Sequence, residues 1–121
     1  MQCKHCNETN PENLIFLNGN SIFRCDTCGK LNTNGTKIKI FVTSSCPKCN
    51  QAKWLHTSLS DVGITTEIYN TELAEGLGES AFYGIKSVPA ILIVKEDDIE
   101  VKGWQGEVPD PKEVMQVLIN D

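Results

Sequence analysis

Apolar positions change their rhythm along the chain, and each rhythm predicts an element. Ile38-Lys39-Ile40-Phe41-Val42 is a β-rich run, followed by the polar stretch Thr43-Ser44-Ser45 and then Cys46-Pro47-Lys48-Cys49. Ala52, Leu55, Leu59 and Val62 next recur at helical spacing until Gly63, and Pro47 suits the first position of that helix because it has no amide to leave unpaired. Thr65 to Tyr69 predicts a strand, Glu72 to about Tyr83 a helix, and Ala90-Ile91-Leu92-Ile93-Val94 a strand buried on both faces. Asp97-Asp98 predicts a turn, Ile99 to Lys102 a returning strand, and Gly103 to Gly106 a loop. Pro111 to Ile119 predicts a last helix with Val114, Val117 and Leu118 on its apolar face, so the order is βαβαββα, an α/β arrangement. Ahead of it, Leu14 to Leu17 and Ser21 to Arg24 flank Asn18-Gly19-Asn20, which predicts a β-hairpin with Cys25 on its exit. The polar, turn-rich run after Lys30 marks a boundary: a small unit over residues 1–31, a linker over 32–36 and a larger domain over 37–121.

All six cysteines fall in Cys-x-x-Cys pairs, and that changes the picture. A structural disulfide usually closes a longer loop than a two-residue spacer, so metal and redox roles remain. Cys3, Cys6, Cys25 and Cys28 have the spacing Cys-x2-Cys-x18-Cys-x2-Cys, suited to a tetrahedral site of four thiolates in which each pair supplies two ligands. Gly29, directly after the second pair, supplies the positive φ that points backbone amides at a thiolate. About 30 residues bury too little surface to fold alone, so a bound ion would supply the missing free energy. The segment resembles the zinc ribbon family over residues 1–31. The resemblance implies structural zinc. Iron in a rubredoxin-like site would use the same four sulfurs, but Asn7 stands where rubredoxin knuckles carry glycine. His5, inside the first knuckle, is expected to be an exposed polar residue, because four cysteines already complete a tetrahedron.

Charge and length exclude several functions. The 121 residues carry 11 basic and 16 acidic side chains, and the first 35 residues are balanced, so the whole deficit lies in the larger domain. A tetrathiolate zinc site adds about two more negative charges to the small unit, which argues against nucleic-acid binding. The five-residue run Ala90–Val94 falls far short of the roughly 20 apolar residues of a membrane span, and the expectation is a monomeric cytoplasmic protein with no membrane partner. His56, two helical turns beyond Cys49, is expected to face solvent, Trp54 to pack at an edge, and Asp97 to Glu100 to form a solvated tip.

The element order and three motifs resemble the thioredoxin and glutaredoxin superfamily over about 85 residues from Thr36 to Asp121. The motifs are Cys46-Pro47-Lys48-Cys49 after a buried strand, Ser87-Val88-Pro89, similar to the family's cis-proline loop, and Gly103-Trp104-Gln105-Gly106. The resemblance implies a mixed sheet with helices on both faces, a nucleophilic Cys46 and a resolving Cys49. It implies support from Pro47 and Lys48, and substrate contacts from Val88, Pro89 and Trp104. Trp104 is weighed between clamping a partner and packing. Ser45 and Ile40 stand where typical thioredoxins carry tryptophan and a buried aspartate, and Lys48 where glutaredoxins often carry tyrosine. The small glutaredoxin-like redoxins that reduce ribonucleotide reductase are the nearest in pattern.

Placed at a helix N-terminus, Cys46 gains from unpaired amides and the helix dipole, which favour its thiolate. The activity this implies is reduction of a partner protein's disulfide, ribonucleotide reductase being the partner the resemblance suggests. A reductase or a dithiol would return electrons, and the expected potential is about −270 to −200 mV. The competing readings are a zinc ribbon adaptor or metal-binding module on a non-catalytic redoxin scaffold, and a one-electron carrier with iron in the ribbon.

Overall fold

The computed structural model describes residues 2–18, 22–33, 35–44 and 47–120. Two sheets form. The first has three strands in the order β1-β2-β3: β1 (Leu14–Asn18), β2 (Ile22–Cys25) and β3 (Leu31–Asn32). β1 and β2 pair antiparallel from Leu14 opposite Cys25, with a bulge between Phe16 and Asn18, as the hairpin pattern predicts. Its Gly19 and Asn20 lie outside the described residues. The stretch assigned to a linker begins differently. Asn32 belongs to β3 and lies opposite Phe23, because Leu31 and Asn32 are held down at both ends of their side chains and backbone, as described below.

The second sheet has the order β5-β4-β6-β7, built from β4 (Lys37–Val42), β5 (Thr66–Asn70), β6 (Ala90–Val94) and β7 (Glu100–Gln105). β4 pairs parallel with β5 and antiparallel with β6, and β6 antiparallel with β7, so the sheet is mixed. β6 reads as an unbroken apolar run, and β4 as one broken within by Lys39, because helices cover both of their faces. On one face Ile38, Ile40, Val42, Ile91 and Ile93 pack against Ala52, Leu55 and Leu59 of α1 (Cys49–Asp61) and Val114 and Leu118 of α3 (Pro111–Asn120). On the other, Phe41, Ala90, Leu92 and Val94 meet Tyr69, Tyr83, Ile85 and Val88, beside α2 (Ala74–Phe82). The βαβαββα order is the one expected from the sequence.

The strand β7 runs further than its sequence suggests. Gly103, Trp104 and Gln105 remain paired, opposite Leu92, Ile91 and Ala90, because β6 offers them a full ladder and Gly103 leaves room for the Leu92 side chain, which a Cβ would approach to 2.7 Å. The loop therefore starts at Gly106, where φ is +79°. Lys39 is the exception in the central strand: its side chain is 4% exposed, donates to Glu79 Oε1 at 2.7 Å and stands over the rings of Tyr69 and Tyr83. Among the described residues no helix is long and apolar enough to cross a membrane.

Candidate redox site and metal centre

The two N-terminal cysteine pairs fold into matching knuckles. In the first, the Cys3 amide donates to Glu8 O at 2.9 Å and the Asn7 amide to Cys3 O at 3.0 Å; in the second, the Cys25 amide donates to Lys30 O at 2.9 Å and the Gly29 amide to Cys25 O at 2.7 Å. The same ring closure requires a left-handed residue after each second cysteine. Gly29 takes φ +77°, as expected, and Asn7 takes +66°, a conformation asparagine tolerates better than most side chains. Asparagine in the first knuckle thus preserves the geometry that glycine gives the second.

The four sulfurs lie within 4.8 Å of one another, with Cys3 to Cys28 at 3.6 Å and Cys6 to Cys25 at 3.5 Å. A tetrahedral ion bonded to sulfur at about 2.3 Å needs sulfurs about 3.8 Å apart. The donor set fits zinc. Electrostatics divide the four sulfurs. Burial pushes the Cys3 thiol up, but the Asn32 amide and the backbone amides of His5 and Cys6 outweigh it and bring it down to about 6. At Cys6 the Glu8 amide favours the thiolate, yet desolvation and the three neighbouring sulfurs carry the group up to about 12. A cation among the sulfurs would offset this repulsion and let all four ligate as thiolates.

Two residues not assigned a role from the sequence bind this centre to its surroundings. Asn32, 1% exposed, accepts from the Lys4 amide at 2.8 Å and donates through Nδ2 to Cys3 Sγ at 3.5 Å. His5 is exposed, as expected, but not idle: its Nε2 lies 3.0 Å from Leu31 O and 3.2 Å from Gly63 O, on the turn after α1. No spacing rule would have found either, since both contacts span more than 25 residues.

The third pair lies elsewhere. Cys46 falls outside the described residues. Cys49 is the first residue of α1 and 2% exposed, within the larger core. The helix starts two residues later than predicted: Pro47 and Lys48 form a turn before it, and the Gln51 amide donates to Lys48 O at 3.1 Å. Cys3, Cys6, Cys25 and Cys28 are free thiols, and Cys49 does not belong to that set.

The fold brings three of the sequence motifs to one end of the central sheet. The Val88–Pro89 bond is cis, as the resemblance implies. The Gly106 amide donates to Pro89 O at 2.8 Å, and Lys48 Nζ reaches Gly106 O at 3.5 Å. The proline loop, the glycine loop and the turn between the cysteines are thereby adjacent. Of the two readings of Trp104, clamping a partner and packing, its burial favours packing. It lies within β7, is 8% exposed and packs in the larger core, because the strand that was expected to end at Lys102 carries it inward. Glu72 went unnoticed in the sequence, yet its Oε1 accepts from the Ser44 amide at 2.7 Å and from the Ser44 hydroxyl at 2.5 Å, which anchors the loop leading to Cys46. These bonds hold the Glu72 carboxyl below its usual range.

The comparisons with known proteins agree with this fold. No curated protein matches the chain. Among solved structures, thioredoxin-2 of the malaria parasite superposes with a TM-score of 0.61 at 15% identity, covering 71% of this chain and 82% of that one. Oxidized thioredoxin O2 from Arabidopsis thaliana superposes at 0.56 with 15% identity, covering 69% and 71%. An uncharacterized thioredoxin-like protein from Clostridium perfringens gives 0.56 at 17% identity, covering 69% and 68%. At these identities the likeness is one of fold. The thioredoxin domain family matches residues 36–119, most of the chain, and the protein belongs to that family.

Proposed function

We propose that the protein is a dithiol–disulfide oxidoreductase that reduces a disulfide in a partner protein, with zinc held by Cys3, Cys6, Cys25 and Cys28. The observation that carries the reading is the adjacency of Lys48, Gly106 and Pro89 at the end of the sheet where Cys49 opens α1. The Cys46 thiolate attacks one sulfur of the partner's disulfide, forming a mixed disulfide and releasing the other sulfur as a thiolate. The Cys49 thiolate then attacks Cys46 Sγ, closing a Cys46–Cys49 disulfide and releasing the second partner thiolate. Two electrons pass to the partner, and a reductase or a dithiol returns them. Val88 and Pro89 flank the site and are suited to hold the partner's backbone. Ribonucleotide reductase is the partner suggested by the sequence pattern. Zinc, when bound, holds the two knuckles together and takes no part in the exchange.

The test is a Cys49→Ser variant, which cannot resolve its mixed disulfide. Incubation with a disulfide-containing protein should leave a covalent adduct through Cys46 that dithiothreitol releases. An adduct yield equal to that of a Cys46→Ser/Cys49→Ser control would refute the activity.

A further inference from the structure

The small unit and the redox domain share a core. Ile22 and Leu31 are buried in the same cluster as Ile38, Leu55, Leu59, Ile64 and Leu118, while the core of the small unit itself is Cys3, Leu14, Phe23 and Cys25, two of the four being candidate metal ligands. Polar links join the apolar ones. The Leu31 amide donates to Val62 O at 2.7 Å, the last carbonyl before Gly63, and His5 Nε2 spans Leu31 O and Gly63 O. Gly63 takes φ +94° with Leu31 pressed against it. Asn32, the next residue in β3, bonds Cys3 Sγ. A continuous path therefore runs from Cys3 through Asn32 and Leu31 to the C-terminal end of α1, the helix whose first residue is Cys49.

We propose that the ribbon is a metal-dependent clamp on the far end of the redox helix, with Asn32 joining the clamp to the metal and His5 latching it to the turn. This rests on the zinc reading of the four cysteines. Two ligands, one from each knuckle, make up half of the small core, and what else ties the first knuckle down is polar, including the Lys4 amide on Asn32 and the Thr27 hydroxyl on Glu8, so loss of the ion loosens His5 and Asn32 together. Leu31 then loses its hold on Val62, and the core that Ile22 and Leu31 share with Leu55 and Leu59 of α1 is opened. Metal occupancy thereby regulates how firmly the helix bearing Cys49 is held.

Amide hydrogen exchange on the full chain tests the clamp without relying on activity. Exchange is followed in the zinc-loaded protein, after chelation under reducing conditions, and after zinc is restored. Chelation should raise exchange at the Leu31 and Ile64 amides by at least tenfold and zinc should reverse it, while the central β4 and β6 amides change less. His5→Ala should keep one zinc per chain and speed Leu31 exchange about tenfold, the value of one net hydrogen bond. Asn32→Leu should weaken zinc binding about 10- to 100-fold. Unchanged Leu31 protection on removing bound zinc, or wild-type zinc affinity in Asn32→Leu, overturns the clamp while leaving the zinc site standing. Failure of the wild-type chain to take up zinc overturns both.

Discussion

Replacing Gly63 by alanine separates backbone strain from the clash with the ribbon, because Gly84 provides a matched control. Both residues lie after helices with positive φ, +94° at Gly63 and +65° at Gly84. Alanine in that region costs roughly 1–2 kcal/mol wherever it is placed. A Cβ at Gly84 meets nothing within 4 Å, so Gly84→Ala should cost about that and no more. A Cβ at Gly63 would lie 2.8 Å from Leu31 N, closer still to Leu31 O, and 2.9 Å from His5 Nε2. Backbone atoms cannot swing aside as a flexible side chain does, so β3 must lift. Lifting it breaks the Leu31–Val62 hydrogen bond, about 1 kcal/mol net, and uncovers part of the buried Leu31 side chain, about 1–2 kcal/mol more. Gly63→Ala should therefore be destabilised by about 2–3 kcal/mol beyond Gly84→Ala. Urea unfolding of the zinc-loaded variants, read by circular dichroism, gives the difference from the midpoints if the m-values agree. Equal losses in the two variants would refute the docking of the ribbon on this turn.

Lys39 and Glu79 should behave asymmetrically. Glu79→Ala leaves a nearly buried ammonium with Asp98 at 3.9 Å as its remaining carboxylate and should cost about 2–3 kcal/mol, whereas Lys39→Met should stay within about 1 kcal/mol; a larger loss in Lys39→Met in the same urea assay would refute this. The Lys39 ammonium holds the Glu79 carboxyl below its ordinary value. The stabilisation is thus complete above the unfolded carboxyl value and lost as pH falls through the folded one, so between about pH 7 and about pH 3 the parent should lose more stability than Lys39→Met. Glu72→Ala frees Ser44 and should slow reduction of a protein disulfide about tenfold with zinc content unchanged; an unaltered rate would dismiss Glu72 as an anchor of the Cys46 loop.

The larger domain was legible because its strands and helices carry their own periodicity: β4 and β6 as apolar runs, and α1 through Ala52, Leu55 and Leu59. The knuckles were legible from spacing, and Gly29 from its place after Cys28. What the sequence concealed depends on contacts between distant residues. Trp104 could be read as a clamp or as packing because Gly103 resembles a loop residue, yet here glycine makes room for Leu92 within a strand. Lys39 sits in an apolar run and gives no hint of Glu79, forty residues away. Asn32 looked like linker because a single polar residue does not reveal which buried sulfur it will meet.

The position of the clamp also decides between roles for the ribbon. Helix α1 has 13 residues, which at 1.5 Å each puts the Val62–Gly63 turn about 20 Å from Cys49. Thiol–disulfide exchange needs sulfur against sulfur, so a ribbon fastened at Leu31 and His5 to that turn does not present its thiolates to the pair at the other end. Nor would it serve well as an iron electron donor, because a dithiol is formed by two electrons and a single rubredoxin-like iron supplies one. Among the described residues, the contacts that cross between the two units include a shared apolar core and two polar links, from the Leu31 amide to Val62 O and between His5 Nε2 and Gly63 O. On the proposed reading, such contacts transmit stability rather than electrons, and they reach the helix that begins at Cys49.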